Sequence, residues 1–161
     1  MIKLIRRSAA VLACALPLLA AAACDGDVTY SSPVIEETQF ASSLGVNLAA
    51  STKTASGMYY RDIAVGTGEA AAPGQTAFVH YTLWLSNGTQ IDSNVGQPAS
   101  FPFQLNGGRV VAGFNEGVLG MKKGGTRQLV IPPSLGYGRN PNGPIPGNSI
   151  LVFNVLLDSI K

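Results

Sequence analysis

The sequence predicts an α+β domain built from about five antiparallel strands and one short helix. Three observations carry this. Only 12% of the 161 residues are charged and 19 are glycine, which suits a turn-rich β domain better than a helical bundle. Thr76 to Leu85 alternates between two sets of side chains, as a half-buried strand does. One stretch, Val110 to Gly125, sets Val110 or Val111, Phe114 and Val118 at helical spacing and makes a single apolar stripe.

Residues 1–23 read as a signal peptide: Lys3, Arg6 and Arg7 precede an apolar run from Ala9 that ends in Ala21, Ala22 and Ala23. The run is short for a spanning helix and contains Pro17, so removal or anchoring is expected rather than a permanent span. Without those three cations, eight of the eleven Lys and Arg face nine Asp and Glu, and the formal charge changes from +2 to −1. No nucleic-acid or anionic-membrane partner is implied. Cys14 leaves with the leader, so Cys24 is the sole thiol of the mature chain and no internal disulfide can form. Its position after three alanines resembles the lipobox of bacterial lipoproteins, in which the cysteine becomes the lipidated N-terminus. Ala21 stands where a Leu is usual. Lipidation of Cys24 is the expectation and plain signal-peptidase cleavage the alternative. Either way the protein is exported to the periplasm or cell envelope, with the membrane reached only through a lipid anchor.

Residues 24–56 are rich in Ser, Thr and Ala and read as a flexible tether. Phe40, Leu44 and Leu48 recur every four residues and could form a helical turn or two against the domain, which is expected over residues 57–161. From Met58 the pattern turns to strands, with Tyr59, Ile63 and Val65 in one alternation and turns at Gly66-Thr67-Gly68 and Pro73-Gly74. In the next strand Ala77, Val79, Tyr81, Leu83 and Leu85 share a face, and His80 points to the other. Asn87-Gly88 predicts a two-residue hairpin turn with both residues at positive φ. That register puts Leu83 opposite Asp92 and Tyr81 diagonal to it, so a phenol and a carboxylate converge on an apolar face. A buried tyrosine with an ordinary hydrogen-bond partner would look the same. His80, the only histidine, has no metal-ligating neighbour at suitable spacing and is read as structural; no metal site or cofactor is expected.

Phe101 and Phe103 share a strand face, followed by a Gly107-Gly108 turn and the Val110 to Gly125 stretch. Gly113 and Gly117 each cost a helix about 1 kcal/mol relative to Ala, so this helix needs tertiary packing to form. Their missing side chains let it lie very close to a sheet. Thr126 to Ile131 is a further strand, Ser134 to Asn148 is irregular, and Ile150 to Ile160 closes the chain as a strand.

Six motifs in order and register then resemble the FKBP-type peptidyl-prolyl isomerases over Ser56 to Lys161. They are Val79-His80-Tyr81-Thr82, Ile91-Asp92-Ser93, Val110-Val111-x-Gly113-Phe114-x-Glu116-Gly117, Gly120-Met121-Lys122-x-Gly124-Gly125, Leu135-Gly136-Tyr137-Gly138 and Leu151-Val152-Phe153. The resemblance implies a bent antiparallel sheet wrapped around the short helix, with an apolar pocket between them. It places Tyr81, Ile91, Asp92, Phe101, Val110, Val111, Phe114, Tyr137, Ile145 and Phe153 around that pocket. Phe114 would be the floor, where many members have Trp, and Ile91 replaces a more usual Phe. Both Ile91 and Asp92 can reach the pocket only if their strand bends. The catalytic group would be Asp92, Tyr81 and Tyr137; the other seven would bind substrate. Implied partners are proline-containing polypeptides and macrolide inhibitors such as rapamycin, and a monomer is expected.

Three other readings compete. A proline-binding chaperone module without turnover is favoured by Ile91 and opposed by Asp92, Tyr137 and the Val110-Val111 pair. A phosphate loop over Gly120 to Thr126 lacks the required Gly-Lys-Ser/Thr spacing. Ser-His-Asp hydrolysis would need His80 on the Asp92 face.

Overall fold

The computed structural model describes residues 31–161, so the signal peptide and Cys24 lie outside the described residues. Nine strands occur in this range: β1 (Thr52–Lys53), β2 (Tyr59–Ala64), β3 (Thr67–Ala70), β4 (Thr76–Leu85), β5 (Gln90–Ser93), β6 (Phe101–Gln104), β7 (Lys122–Lys123), β8 (Thr126–Ile131) and β9 (Leu151–Ile160). One α-helix, α1 (Ala112–Val118), lies between β6 and β7. The strands beyond those read from the sequence, β1, β3 and β7, are short and exposed throughout, so they carry no alternation to detect.

Seven strands form one antiparallel sheet in the order β1-β2-β8-β9-β4-β5, with β6 also paired to β4, and β3 and β7 form a separate ladder. β9 pairs with β4 from Ala77 to Leu85 and occupies one of its edges. β5 and β6 therefore share the other edge, β5 at Thr82 to Trp84 and β6 at Thr76 to Val79. His80 and Tyr81 fall in the gap between them.

α1 crosses the inner face of the sheet at β8. A Cβ added at Gly113 would lie 2.4 Å from Ile131 Cγ2, and one at Gly117 would lie 2.5 Å from Leu129 Cδ1. The two glycines that weaken the helix are thus what lets it seat. Arg127, 8% exposed, holds the helix end: its Nη1 donates to the carbonyls of Gly117 and Leu119, at 3.0 and 3.2 Å. Those are carbonyls that a helix terminus leaves without an intrahelical donor. Its Nε donates to Asp62 Oδ1 at 2.6 Å, and its guanidinium stacks 4.4 Å from the Tyr60 ring centre.

The outer face differs from the sequence reading. Residues 34–56, expected to belong to a flexible tether, run across the sheet as a strap of three single 3-10 turns, Ile35–Glu37, Ser42–Leu44 and Leu48–Ala50, before pairing through β1. Ile35 is buried with Tyr59, Val130 and Ile150, and Phe40, Val46 and Leu48 pack against them. Polar bonds complete the cover: Gln128 Nε2 donates to Leu44 O and Arg61 Nη2 to Gly45 O, both at 2.8 Å. The compact unit that holds the sheet accordingly includes the strap together with residues 57–161. β2 departs from its expected alternation as well. A bulge between Asp62 and Ala64 leaves Ile63 52% and Val65 77% exposed, while Tyr59 is buried on the outer side.

Candidate functional site

The site starts from the β4–β5 hairpin. Leu83 pairs with Asp92, and the Tyr81 hydroxyl donates to Asp92 Oδ2 at 2.6 Å, so the convergence read from the sequence is present. The turn that produces it is different. Gly88 has φ +88°, but Asn87 is not in the left-handed region. Gly88 N–H donates to Leu85 O at 3.0 Å and Leu85 N–H to Thr89 O at 2.9 Å, which closes a three-residue loop needing positive φ only at the glycine. The loop is one residue longer than expected, and a bulge at Ile91, between Trp84↔Gln90 and Leu83↔Asp92, restores the register. At that bulge Ile91 packs against the core while Asp92 alone of the two faces the cavity.

The cavity between sheet and helix has a volume of about 360 Å³, within the range of small-molecule sites. Phe114, 3% exposed, forms its floor, with ring centres 4.9 Å from Phe153 and 5.8 Å from Tyr81 in edge-to-face contact. Phe101 meets Tyr81 edge-on at 5.9 Å and stacks on Phe103, itself buried in the core. Val110 and Val111 lie at the rim where α1 begins, and Tyr137 enters from the loop after β8 with its hydroxyl holding no partner among the described residues. Eight of the ten residues expected at the pocket therefore line it. Ile91 and Ile145 do not: both pack into the surrounding core, Ile145 buried and paired with Asn142 across a small bridge that shapes the Tyr137 loop.

Two lining residues were missed. Leu83 sits on the Tyr81 face of β4, so period-two alternation already contained the signal. Arg109 is an exposed cation at the rim with no ion-pair partner among the described residues, and a cation beside a turn gives no signal by itself.

Burial, then the bond to Asp92, pushes the Tyr81 phenol far above its ordinary range, so it is a permanent hydrogen-bond donor. Asp92 Oδ1 accepts from Ser93 N–H at 2.8 Å, so both carboxylate oxygens are held. Among the described residues no group of His, Cys, Asp or Glu is placed to hold a metal, and His80 Nδ1 lies 3.2 Å from Asn94 O. The cavity lining contains no Ser, Thr, Cys or Lys. Fold and site together define an aromatic-walled cavity between a sheet and a short helix, with a hydrogen-bonded phenol–carboxylate pair on one wall.

Comparison with known proteins supplies the family. The family model described as "FKBP-type peptidyl-prolyl cis-trans isomerase" matches residues 67–158. An "FK506-binding protein" of Neisseria meningitidis serogroup B is 41% identical over 102 residues, covering 63% of this chain and 94% of that protein. "Peptidyl-prolyl cis-trans isomerase FKBP15-3" of Arabidopsis thaliana is 37% identical over 129 residues, covering 78% of this chain and 90% of its own. Among solved structures, FkpA from Escherichia coli superposes with a TM-score of 0.65 at 37% identity, covering 70% of this chain and 52% of that one. The chain belongs to the FKBP-type peptidyl-prolyl cis-trans isomerase family, and its activity is rotation about X-Pro peptide bonds.

Proposed function

We propose that the Phe114-floored cavity is where that rotation occurs, with Asp92, Tyr81 and Tyr137 as its polar groups. Rotating an X-Pro bond means breaking amide resonance, a barrier of about 18 to 20 kcal/mol that makes uncatalysed exchange take tens to hundreds of seconds. The twisted amide has less charge separation than the planar one, so a dry aromatic cavity favours the transition state over the ground state. Phe101, Val110, Phe114 and Phe153 receive the proline ring; Ile91 and Ile145 support that wall from the core. The Val111 N–H and the Tyr137 hydroxyl hold substrate carbonyls, and Asp92 orients Tyr81. The observation that carries this assignment is the Tyr81–Asp92 bond at 2.6 Å on the wall of an otherwise apolar cavity.

The clients are proline-containing polypeptides of the cell envelope, reached after export through the 1–23 leader and held near the membrane by lipid on Cys24. No described helix is long and apolar enough to cross a membrane. Macrolides of the FK506 and rapamycin type fit the same cavity, in line with the relatives' name, and the protein works as a monomer.

A protease-free isomerisation assay on a proline tetrapeptide, comparing wild type with Asp92→Val and Tyr137→Phe, tests the site. Both variants lower kcat/KM by about tenfold while remaining folded; variants as active as wild type would remove these residues from the site. Detergent partitioning with a Cys24→Ala control tests the anchor, since a wild-type protein found in the aqueous phase would rule lipidation out.

A further inference from the structure

We infer that Asn94 is a positioning residue for the isomerase site, acting through Tyr81. The inference rests on the site assignment above and goes beyond it by naming what holds the phenol in place. β5 and β6 leave His80 and Tyr81 without a strand partner on one edge of β4. In a sheet interior such backbone groups must find other acceptors and donors. Asn94 supplies them by imitating a peptide group: its Oδ1 accepts from Tyr81 N–H at 2.7 Å and its Nδ2 donates to Val79 O at 3.1 Å. Its own backbone N–H donates to Tyr81 O at 3.1 Å, an oxygen that also accepts from Ser93 Oγ at 3.1 Å.

These bonds close a ring. The Tyr81 backbone is fixed to Asn94, the preceding residue Ser93 donates to Asp92 Oδ1, and Asp92 Oδ2 accepts the Tyr81 hydroxyl. Without the Asn94 amide, Tyr81 stays in the β4–β9 ladder and keeps the bonds to its carbonyl, but its N–H loses its acceptor on the β5 edge and its hydroxyl is aimed at Asp92 less closely. Asn94 does not line the cavity, so its effect passes through Tyr81 and not through contact with substrate. A small misplacement of an oriented group is enough to slow catalysis.

The test is a double-mutant cycle in the isomerisation assay, with proton NMR of the Tyr81 hydroxyl on the same samples. Asn94→Ala should lower kcat/KM by about five- to tenfold, mainly through kcat, in a wild-type background and by less than about twofold in a Tyr81→Phe background. The hydroxyl resonance should be sharp and far downfield in wild type and be lost or shifted upfield in the variant. If Asn94→Ala does not fold, Asn94→Ser, which keeps the main-chain bond and removes the amide, carries the same cycle. Equal losses in both backgrounds, or an unchanged hydroxyl resonance, would overturn the inference. A Tyr81→Phe variant as active as wild type would instead overturn the site assignment, and the resonance would then decide the positioning claim by itself.

Discussion

One strand, β8, meets two different partners on its two faces. On the inner side Arg127, Leu129 and Ile131 receive α1, through a helix-end cap and two contacts that only glycine permits. On the outer side Gln128 and Val130 receive the strap, through one bond to a backbone carbonyl and one small apolar cluster. The inner face sets the height and angle of Phe114 and so the shape of the cavity. The outer face contributes burial but no lining residue. The cavity thus depends on the inner side, whereas the outer side adds burial without touching it, and outer-side variants should change stability without changing turnover.

The largest expected effect lies inside. Gly113→Leu drives a side chain into Ile131 and should destabilise the fold by about 3 kcal/mol while abolishing turnover, measured by urea unfolding and the isomerisation assay. Lys122→Ala, on the exposed β7, should change neither. Arg127→Met strips the helix-end carbonyls and Asp62 of their donor and should cost about 2 to 3 kcal/mol, with a fall in kcat/KM because the helix end is freed. If catalysis survived that loss intact, the inner face would not set the cavity's geometry.

A smaller effect is expected at the rim. Arg109 should favour a tetrapeptide with Glu before proline over one with Lys by about two- to threefold in kcat/KM, a preference that Arg109→Gln removes and added salt weakens.

The smallest effect belongs to the strap's exposed ion pair. Hydrogen bonds from Lys53 and then Tyr59 pull the Glu36 carboxyl down from its ordinary 4.5 to about 2. A carboxyl lower in the folded than in the unfolded state contributes stability above pH 4.5 and loses it as pH falls toward 2. The group is exposed, so the contribution is small, and Lys53→Ala should flatten the stability curve in that window without altering turnover at neutral pH.

What was legible in the sequence follows the same division. The β4 alternation is legible because the side-chain period of a strand is fixed, whereas the two-residue turn reaches the right place for Asp92 only because the bulge at Ile91 cancels the extra loop residue; Gly113 and Gly117 are legible because glycines inside an apolar stripe demand a close neighbour. Ile91 and Ile145 were placed on the cavity by resemblance, yet a bulge and a small bridge turn both into supporting core. The Phe40, Leu44 and Leu48 spacing points to turns packed on the domain, which the structure shows as 3-10 turns; the rest of the strap reads as a tether because its attachment runs through backbone carbonyls and single apolar residues such as Ile35, which add no periodic pattern. Arg127 gave no signal for a related reason: its partners are Asp62, distant in sequence, and two carbonyls whose positions depend on the finished fold.

Stability and kcat/KM measured together on Phe114→Leu and Ile35→Ala test this division most directly. The first should cost about 1 to 1.5 kcal/mol and lower kcat/KM about tenfold; the second should cost about 2 to 3 kcal/mol and leave kcat/KM of the folded protein unchanged. A loss of kcat/KM in Ile35→Ala equal to that in Phe114→Leu would contradict it.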